Sequence, residues 1–145
     1  TFFVCGPQEM YRFLDAELEK LNLPRRLIRR EAFGEVTDPA AFPGYPAAAV
    51  GKSFTISAEI GDELFEVPAN SAESVLVAFE RAKLSPPSQC RSGECGFCRA
   101  LLLEGDVFIT PENDGRRLAD KKFGYIHPCA SYPVSDMKVR ILRGA

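Results

Sequence analysis

Three cysteines fall within one short segment, Cys90-Arg91-Ser92-Gly93-Glu94-Cys95-Gly96-Phe97-Cys98, a C-x4-C-x2-C run, and a fourth, Cys129, follows well downstream. Thiolates are strong metal ligands, so the residue types point to a metal centre. One loop can wrap such a centre with three sulfurs, and the fourth must come from elsewhere in the fold. Gly93 and Gly96 suit the same loop, because glycine adopts positive φ freely and lets backbone N–H groups approach sulfur. A four-cysteine zinc site normally shows two knuckles, each a close pair of cysteines. Here the second knuckle is missing, since Cys129 has no cysteine near it; zinc stands as the alternative reading. A centre held by two His and two Cys is excluded by count, because His127 is the one histidine in the chain. His127 reads as a polar residue beside the metal loop. Cys5 stands alone, and an odd total with one tight cluster does not form a secreted disulfide framework. A reducing compartment, the cytoplasm, is expected.

The elements that must hold these residues fall into two groups. Thr1 to Val4 is a short β-favouring run; Cys5-Gly6-Pro7 breaks it and opens a helix with Pro7 in its first turn. Met10, Phe13, Leu14, Leu18 and Leu21 then form one apolar helical stripe, which Asn22-Leu23-Pro24 ends. Leu27 to Phe33 is extended. A strand-helix-strand unit of this size has a face to bury against neighbours it does not possess, so residues 1–34 read as the tail of an α/β domain. Residues 35–52 are rich in Pro and Ala and read as a semi-rigid linker, with Phe42 and Tyr45 placed to pin it. From Ser53, alternation at Phe54, Ile56, Ala58 and Ile60, a Gly61-Asp62 turn and Leu64, Phe65 and Val67 predict a hairpin. Asn70 or Ser71 is the expected cap of a helix buried along Val75, Leu76, Phe79 and Ala82. Residues 99–103, 107–109 and 137–142 complete a mixed sheet packed on that helix.

The 145 residues are 46% apolar and 26% charged, as expected of a globular protein. Eighteen Lys and Arg against twenty Asp and Glu leave a net charge of −2, which argues against nucleic-acid binding by bulk charge. No apolar run approaches the roughly 20 residues of a membrane-spanning helix. The start has neither Met nor a basic signal segment and reads as the middle of a longer product. Arg25-Arg26 and Arg29-Arg30 read as a solvated turn and strand edge, and Arg116-Arg117 and Lys121-Lys122 as surface.

The cysteine spacing is that of plant-type ferredoxins, and Gly124-Tyr125-Ile126-His127-Pro128-Cys129-Ala130-Ser131-Tyr132-Pro133-Val134-Ser135-Asp136 resembles the segment around their fourth cluster ligand. With both motifs in order, residues 53–145 resemble a whole [2Fe–2S] ferredoxin domain of the β-grasp fold. Residues 1–34 resemble the end of a ferredoxin-NADP reductase-type nucleotide-binding domain, on the strand, Cys5-Gly6-Pro7 and the helix. The order is similar to that of phthalate dioxygenase reductase and vanillate demethylase reductase relatives. The fold class expected is α+β: a β-grasp domain preceded by the strand-helix-strand remnant of an α/β domain. The resemblance implies a [2Fe–2S] cluster held by Cys90, Cys95, Cys98 and Cys129. It implies FAD or FMN and NAD(P)H for an upstream part alone, so this chain by itself is an electron-transfer module and no complete enzyme. The implied partners are upstream flavin and NAD(P) domains of the same polypeptide and an electron-acceptor protein such as an oxygenase. It would place Cys5 near the nicotinamide and Phe33 near the flavin; by its own chemistry Cys5 reads equally as a buried strand-end cysteine. A stand-alone ferredoxin and a non-redox β-grasp module with zinc are the rival readings. In the cluster loop, Arg91 and Glu94 are expected to steer a docking partner and Phe97 to shield the cluster.

Overall fold

The computed structural model describes residues 1–6, 8–24, 27–32 and 34–142. Pro7, the Arg25-Arg26 pair and Phe33 lie outside the described residues, as do the side chains of Arg29 and Arg30. The chain separates into two units, Thr1–Gly34 and Glu35–Ala145.

In the first unit, β1 (Phe2–Gly6), α1 (Gln8–Glu19) and β2 (Ile28–Ala32) follow one another. The strands pair in parallel, Phe2 opposite Ile28 through Gly6 opposite Ala32, and parallel neighbours require a crossover of the kind α1 supplies. Of the predicted stripe, Leu18 is buried and Met10 and Leu14 are half-buried, but Phe13 and Leu21 are exposed. Two strands are too narrow a platform to cover the whole stripe. Phe2 and Phe3 are also exposed.

The second unit contains β3 (Ser53–Ile60), β4 (Glu63–Asn70), α2 (Val75–Arg81), β5 (Ala100–Glu104), β6 (Val107–Phe108), α3 (Leu118–Lys122), β7 (Tyr125–Ile126), β8 (Tyr132–Pro133) and β9 (Met137–Ile141). The predicted hairpin forms, with Gly61 in the left-handed region at its turn. The main sheet has the order β4-β3-β9-β5-β7. β3 and β9 run parallel, and the other pairings are antiparallel. β6 and β8 form a separate two-stranded ribbon.

Alternation decides which side of each strand is buried. Ile56, Ala58 and Ile60 of β3 face the same core as Val67 and Ala69 of β4, Val139 and Ile141 of β9, and Val75, Ala78 and Phe79 of α2. Burial of one side chain as large as Phe79, fully inaccessible here, is worth about 1.5–3 kcal/mol.

The cap of α2 is Ser74, whose Oγ accepts from Val77 N–H at 3.2 Å, and neither Asn70 nor Ser71. The reason is pairing: β4 stays in register with β3 up to Asn70, which sits opposite Ser53. Asn70 Oδ1 instead accepts from Ala72 N–H, making a local turn before the helix. The helix ends at Arg81, so Ala82 falls outside it and is exposed; Ala78 takes its place on the buried face.

Residues 35–52 fold onto the second unit as two 3₁₀ turns, Pro39–Ala41 and Ala47–Ala49, with Val36, Pro39 and Ala49 buried. Tyr45 pins the segment: its hydroxyl donates to Ser71 O at 2.9 Å and its ring meets Phe108 edge-on at 5.1 Å. Tyr132, almost wholly buried, donates to Val36 O at 2.8 Å. Among the described residues no helix is long and apolar enough to cross a membrane.

Candidate metal centre

Sheet register explains how the distant cysteine reaches the loop. Ala100 of β5 lies opposite Ile126 of β7, and extending that antiparallel pairing by two residues sets position 98 opposite 128. Cys98 and Cys129 therefore meet just beyond the sheet, their sulfurs 3.4 Å apart. Both are buried, in a small cluster with Leu76 of α2 and Ala130. Cys90 is half-buried and Cys95 exposed. Among the described residues no three Cys, His, Asp or Glu side chains converge as a single-ion site. The four thiols fall instead into an inner pair, Cys98 with Cys129, and an outer pair, Cys90 with Cys95.

Backbone donors point at three of the four sulfurs. Gly93 N–H donates to Cys129 Sγ at 3.3 Å, Cys95 N–H to Cys90 Sγ at 3.4 Å, and Phe97 N–H to Cys95 Sγ at 3.4 Å. Such donors favour the ionised, ligating form of a thiol. At Cys90 burial opposes ionisation, but the backbone N–H and side-chain donors of Ser92 and Cys95 together outweigh it and bring the thiol down to about 6. In the inner pair one contact acts in opposite senses. The sulfur–sulfur hydrogen bond lowers the Cys98 thiol, while the same contact, reinforced by burial, pushes Cys129 up. The donor set suits a dianionic bridged cluster: four thiols, with amides in place to offset charge on the sulfurs.

The loop's two predicted glycines are both needed. Gly93 has φ +84°, and a Cβ there would lie 2.1 Å from Asn113 O and 2.8 Å from Ala130 Cβ. Gly96 has φ +70°, and its Cβ would lie 3.3 Å from His127 Nε2. His127 is therefore more than a neighbour of the loop. Its ring is buried, Nδ1 lies 2.6 Å from Gly93 O, and Nε2 faces Asp120 Oδ2 at 3.7 Å. A carbonyl can only accept, so Nδ1 carries the proton in that bond.

A layer of polar residues behind the loop escaped the sequence reading. Asn113 Nδ2 donates to Ser92 O at 3.3 Å, Thr110 Oγ1 to Asn113 Oδ1 at 3.2 Å, and Ser131 Oγ to His127 O at 2.9 Å. Ser92, Thr110, Asn113 and Ser131 are all buried. The one available signal was a run of polar types between two apolar strands, which reads equally as an exposed loop.

Arg91 does not project toward solvent as a free charge. At φ +57° its guanidinium grips both oxygens of Glu80 at 2.6 and 3.0 Å and reaches Glu35 at 2.6 Å. Glu35 also accepts from Ser74 Oγ, the cap of α2. The cluster loop, the helix and the 35–52 segment are thus tied at one point. Glu94 is exposed, and so is Phe97, at 60%. Arg116 and Lys121 both close on Asp114, at 2.8 and 2.9 Å, and hold its carboxyl well below the usual range, the Arg116 hydrogen bond most of all. Cys5 lies on β1 of the first unit and is exposed, not buried as the strand-end reading expected, because alternation along β1 turns Val4 to the buried side.

A mixed sheet grasping one helix, with a three-cysteine loop at the head of β5 and a fourth cysteine after β7, defines a β-grasp ferredoxin domain. Residues 58–134, more than half of the chain, match the 2Fe-2S iron-sulfur cluster binding domain, and the chain belongs to that family. It is 31% identical over 129 residues to the beta subunit of a heme-dependent oxidative N-demethylase from Ectopseudomonas mendocina (strain ymp), covering 89% of this chain and 36% of that one. It is 30% identical over 106 residues to phthalate dioxygenase reductase from Burkholderia cepacia, covering 72% and 29%. A solved phthalate dioxygenase reductase, described as a modular structure for electron transfer from pyridine nucleotides to [2Fe-2S], matches with TM-score 0.53 at 25% identity, over 96% of this chain and 38% of that one. The chain thus spans well under half the length of these relatives.

Proposed function

We propose that this chain is the electron-exit end of an NAD(P)H-dependent flavoprotein reductase, passing single electrons to an acceptor protein such as an oxygenase. The observation that carries the reading is the inner pair, two buried thiols 3.4 Å apart with the Gly93 amide on one of them, completed by the outer pair on the same loop. Cys90, Cys95, Cys98 and Cys129 are the ligands, and Cys5 is not. A bound [2Fe–2S] cluster supplies one-electron chemistry. The chain's own residues bring the four thiols together, turn backbone N–H groups on three of the sulfurs, exclude water from the inner pair, and leave Cys95 and its neighbours open to a partner.

In this reading residues 1–34 are the end of an NAD(P)-binding domain, which accounts for a two-stranded parallel sheet with Phe2, Phe3 and Phe13 exposed. Residues 35–52 are the linker, tethered to the ferredoxin domain of residues 53–145. Flavin and pyridine nucleotide belong to upstream parts of the same polypeptide, and the site of action is the cytoplasm.

Iron and acid-labile sulfide analysis of single Cys→Ser variants tests the ligand set. Loss of cluster is expected in Cys90, Cys95, Cys98 and Cys129 variants, with full content in Cys5→Ser. The purified chain should be red-brown, bleach with dithionite and consume no NADH by itself. A colourless zinc protein, or steady NADH consumption without added flavoprotein, refutes the proposal.

A further inference from the structure

We infer that His127 and Asn113 are positioning residues that clamp Gly93 from two sides and so aim its N–H at the Cys129 sulfur. This rests on the reading of Cys129 as a cluster ligand. The N–H in question belongs to the peptide joining Ser92 to Gly93, and the carbonyl of that same peptide accepts from Asn113 Nδ2 at 3.3 Å. Trans peptides set the C=O and N–H on opposite edges of one rigid plane, so fixing the carbonyl fixes the direction of the donor. The next carbonyl, Gly93 O, accepts from His127 Nδ1 at 2.6 Å. Between them Gly93 sits at φ +84° with no space for a Cβ, and a residue held at that torsion by both flanking peptides has little freedom to turn its N–H away.

The clamp is itself braced. Thr110 holds the Asn113 carboxamide, and Ser131 donates to the His127 carbonyl. Asp120 Oδ2 stands 3.7 Å from His127 Nε2 and is fixed by Arg117 N–H and, through its other oxygen, by Arg99. His127 is 2% exposed and Asn113 7%, so water cannot replace either donor. Two polar side chains, buried with their hydrogen-bonding ends turned on the Ser92 and Gly93 carbonyls, make a device for orientation, for which packing alone would need no polar atoms.

The consequence is electronic. An N–H directed at a ligand sulfur stabilises the more negative, reduced centre over the oxidised one. Losing its aim should lower the midpoint potential without removing a ligand. The expected change is about tenfold in the reduction equilibrium, which for one electron is about 59 mV.

The test is the midpoint potential of the purified, cluster-loaded chain in His127→Leu, His127→Asn and Asn113→Leu. Leucine fills the space of each residue without a donor, and both Leu variants should shift to lower potential. Asparagine places an amide near the position of Nδ1, and His127→Asn should return to the wild-type value. A cation effect of the imidazole, or simple cavity filling, predicts otherwise: equal shifts in Asn and Leu in the first case, no shift in either in the second. Either result overturns the proposal. Should His127→Leu fail to hold a cluster, Asn113→Leu carries the same expectation from the opposite side, and failure of both to load makes these residues structural supports, which also refutes it. A wild-type chain with no iron or sulfide refutes instead the underlying assignment of ligands, and so the two failures are told apart.

Discussion

Three glycines at positive φ allow backbone torsion, steric room and the metal loop to be separated. Gly61, in the β3–β4 turn, has φ +63° and nothing within 4 Å of a built Cβ. Gly105, in the turn after β5, has φ +84° with Asp136 O at 2.2 Å and Met137 Cβ at 2.8 Å. Gly93 combines the same torsion and crowding with its place in the cysteine loop. An L-residue in the left-handed region costs about 1–2 kcal/mol, the whole penalty expected of Gly61→Ala. At Gly105 and Gly93 the obstacle is a backbone carbonyl, which no side-chain rotation removes, so overpacking adds about 1–3 kcal/mol. Gly105→Ala should therefore lower the apparent unfolding temperature more than Gly61→Ala while keeping full iron content. Gly93→Ala should do both kinds of damage, because relief of the Asn113 clash means moving the peptide that donates to Cys129. The variants are ranked at one fixed scan rate, so that any irreversible step weighs equally on all of them, by far-UV circular dichroism and by visible absorbance. The reasoning is refuted if Gly93→Ala ranks with Gly61→Ala and carries full iron and sulfide.

Further expectations follow from the contacts that tie the loop to its support. Tyr132→Phe strands the buried Val36 carbonyl and should cost about 1–2 kcal/mol, seen as a lower unfolding temperature and faster proteolysis within residues 35–52, with iron content unchanged. Ser74→Ala removes the cap of α2 and a partner of Glu35 and should cost about 1 kcal/mol, read in the same melts. Arg91→Met loses two ion pairs of a half-exposed guanidinium, worth about 1 kcal/mol or less after solvent screening. Glu94→Lys should change the salt dependence of electron transfer to a surrogate acceptor protein more than Arg91→Met does; the reverse order would return Arg91 to the docking surface.

What was legible in the chain followed from periodicity and from side-chain chemistry. Alternation at Ile56, Ala58 and Ile60 placed β3 correctly because one face of that strand is buried. The four clustered and distant cysteines were legible because sulfur donors are rare and their spacing is restrictive. The α2 cap was misplaced because Asn70, Ser71 and Ser74 are all good caps, and long-range pairing of β4 with β3 decided among them. The α1 stripe overstated burial because periodicity marks a face suited to burial and does not supply the surface that covers it.

Arg91 illustrates the deeper limit. In sequence it is a charged residue in a Gly-rich loop between Cys90 and Cys95, and loops of that composition run on the surface. Its partners, Glu35 and Glu80, come from the start of the unit and from α2, far from it along the chain. The two carboxylates converge on the guanidinium where α2 and the 35–52 segment meet the cysteine loop. The same holds for the amides of Gly93, Cys95 and Phe97, since every residue but proline has an N–H and composition says nothing of where it points. Cysteines able to converge on such a centre are therefore readable from residue types, whereas the groups around their sulfurs are mainly backbone atoms and buried polar side chains whose placement exists only in the folded register. A charge beside a cysteine of the loop keeps its full field for a partner only where the fold supplies no counter-charge, and at Arg91 it supplies two.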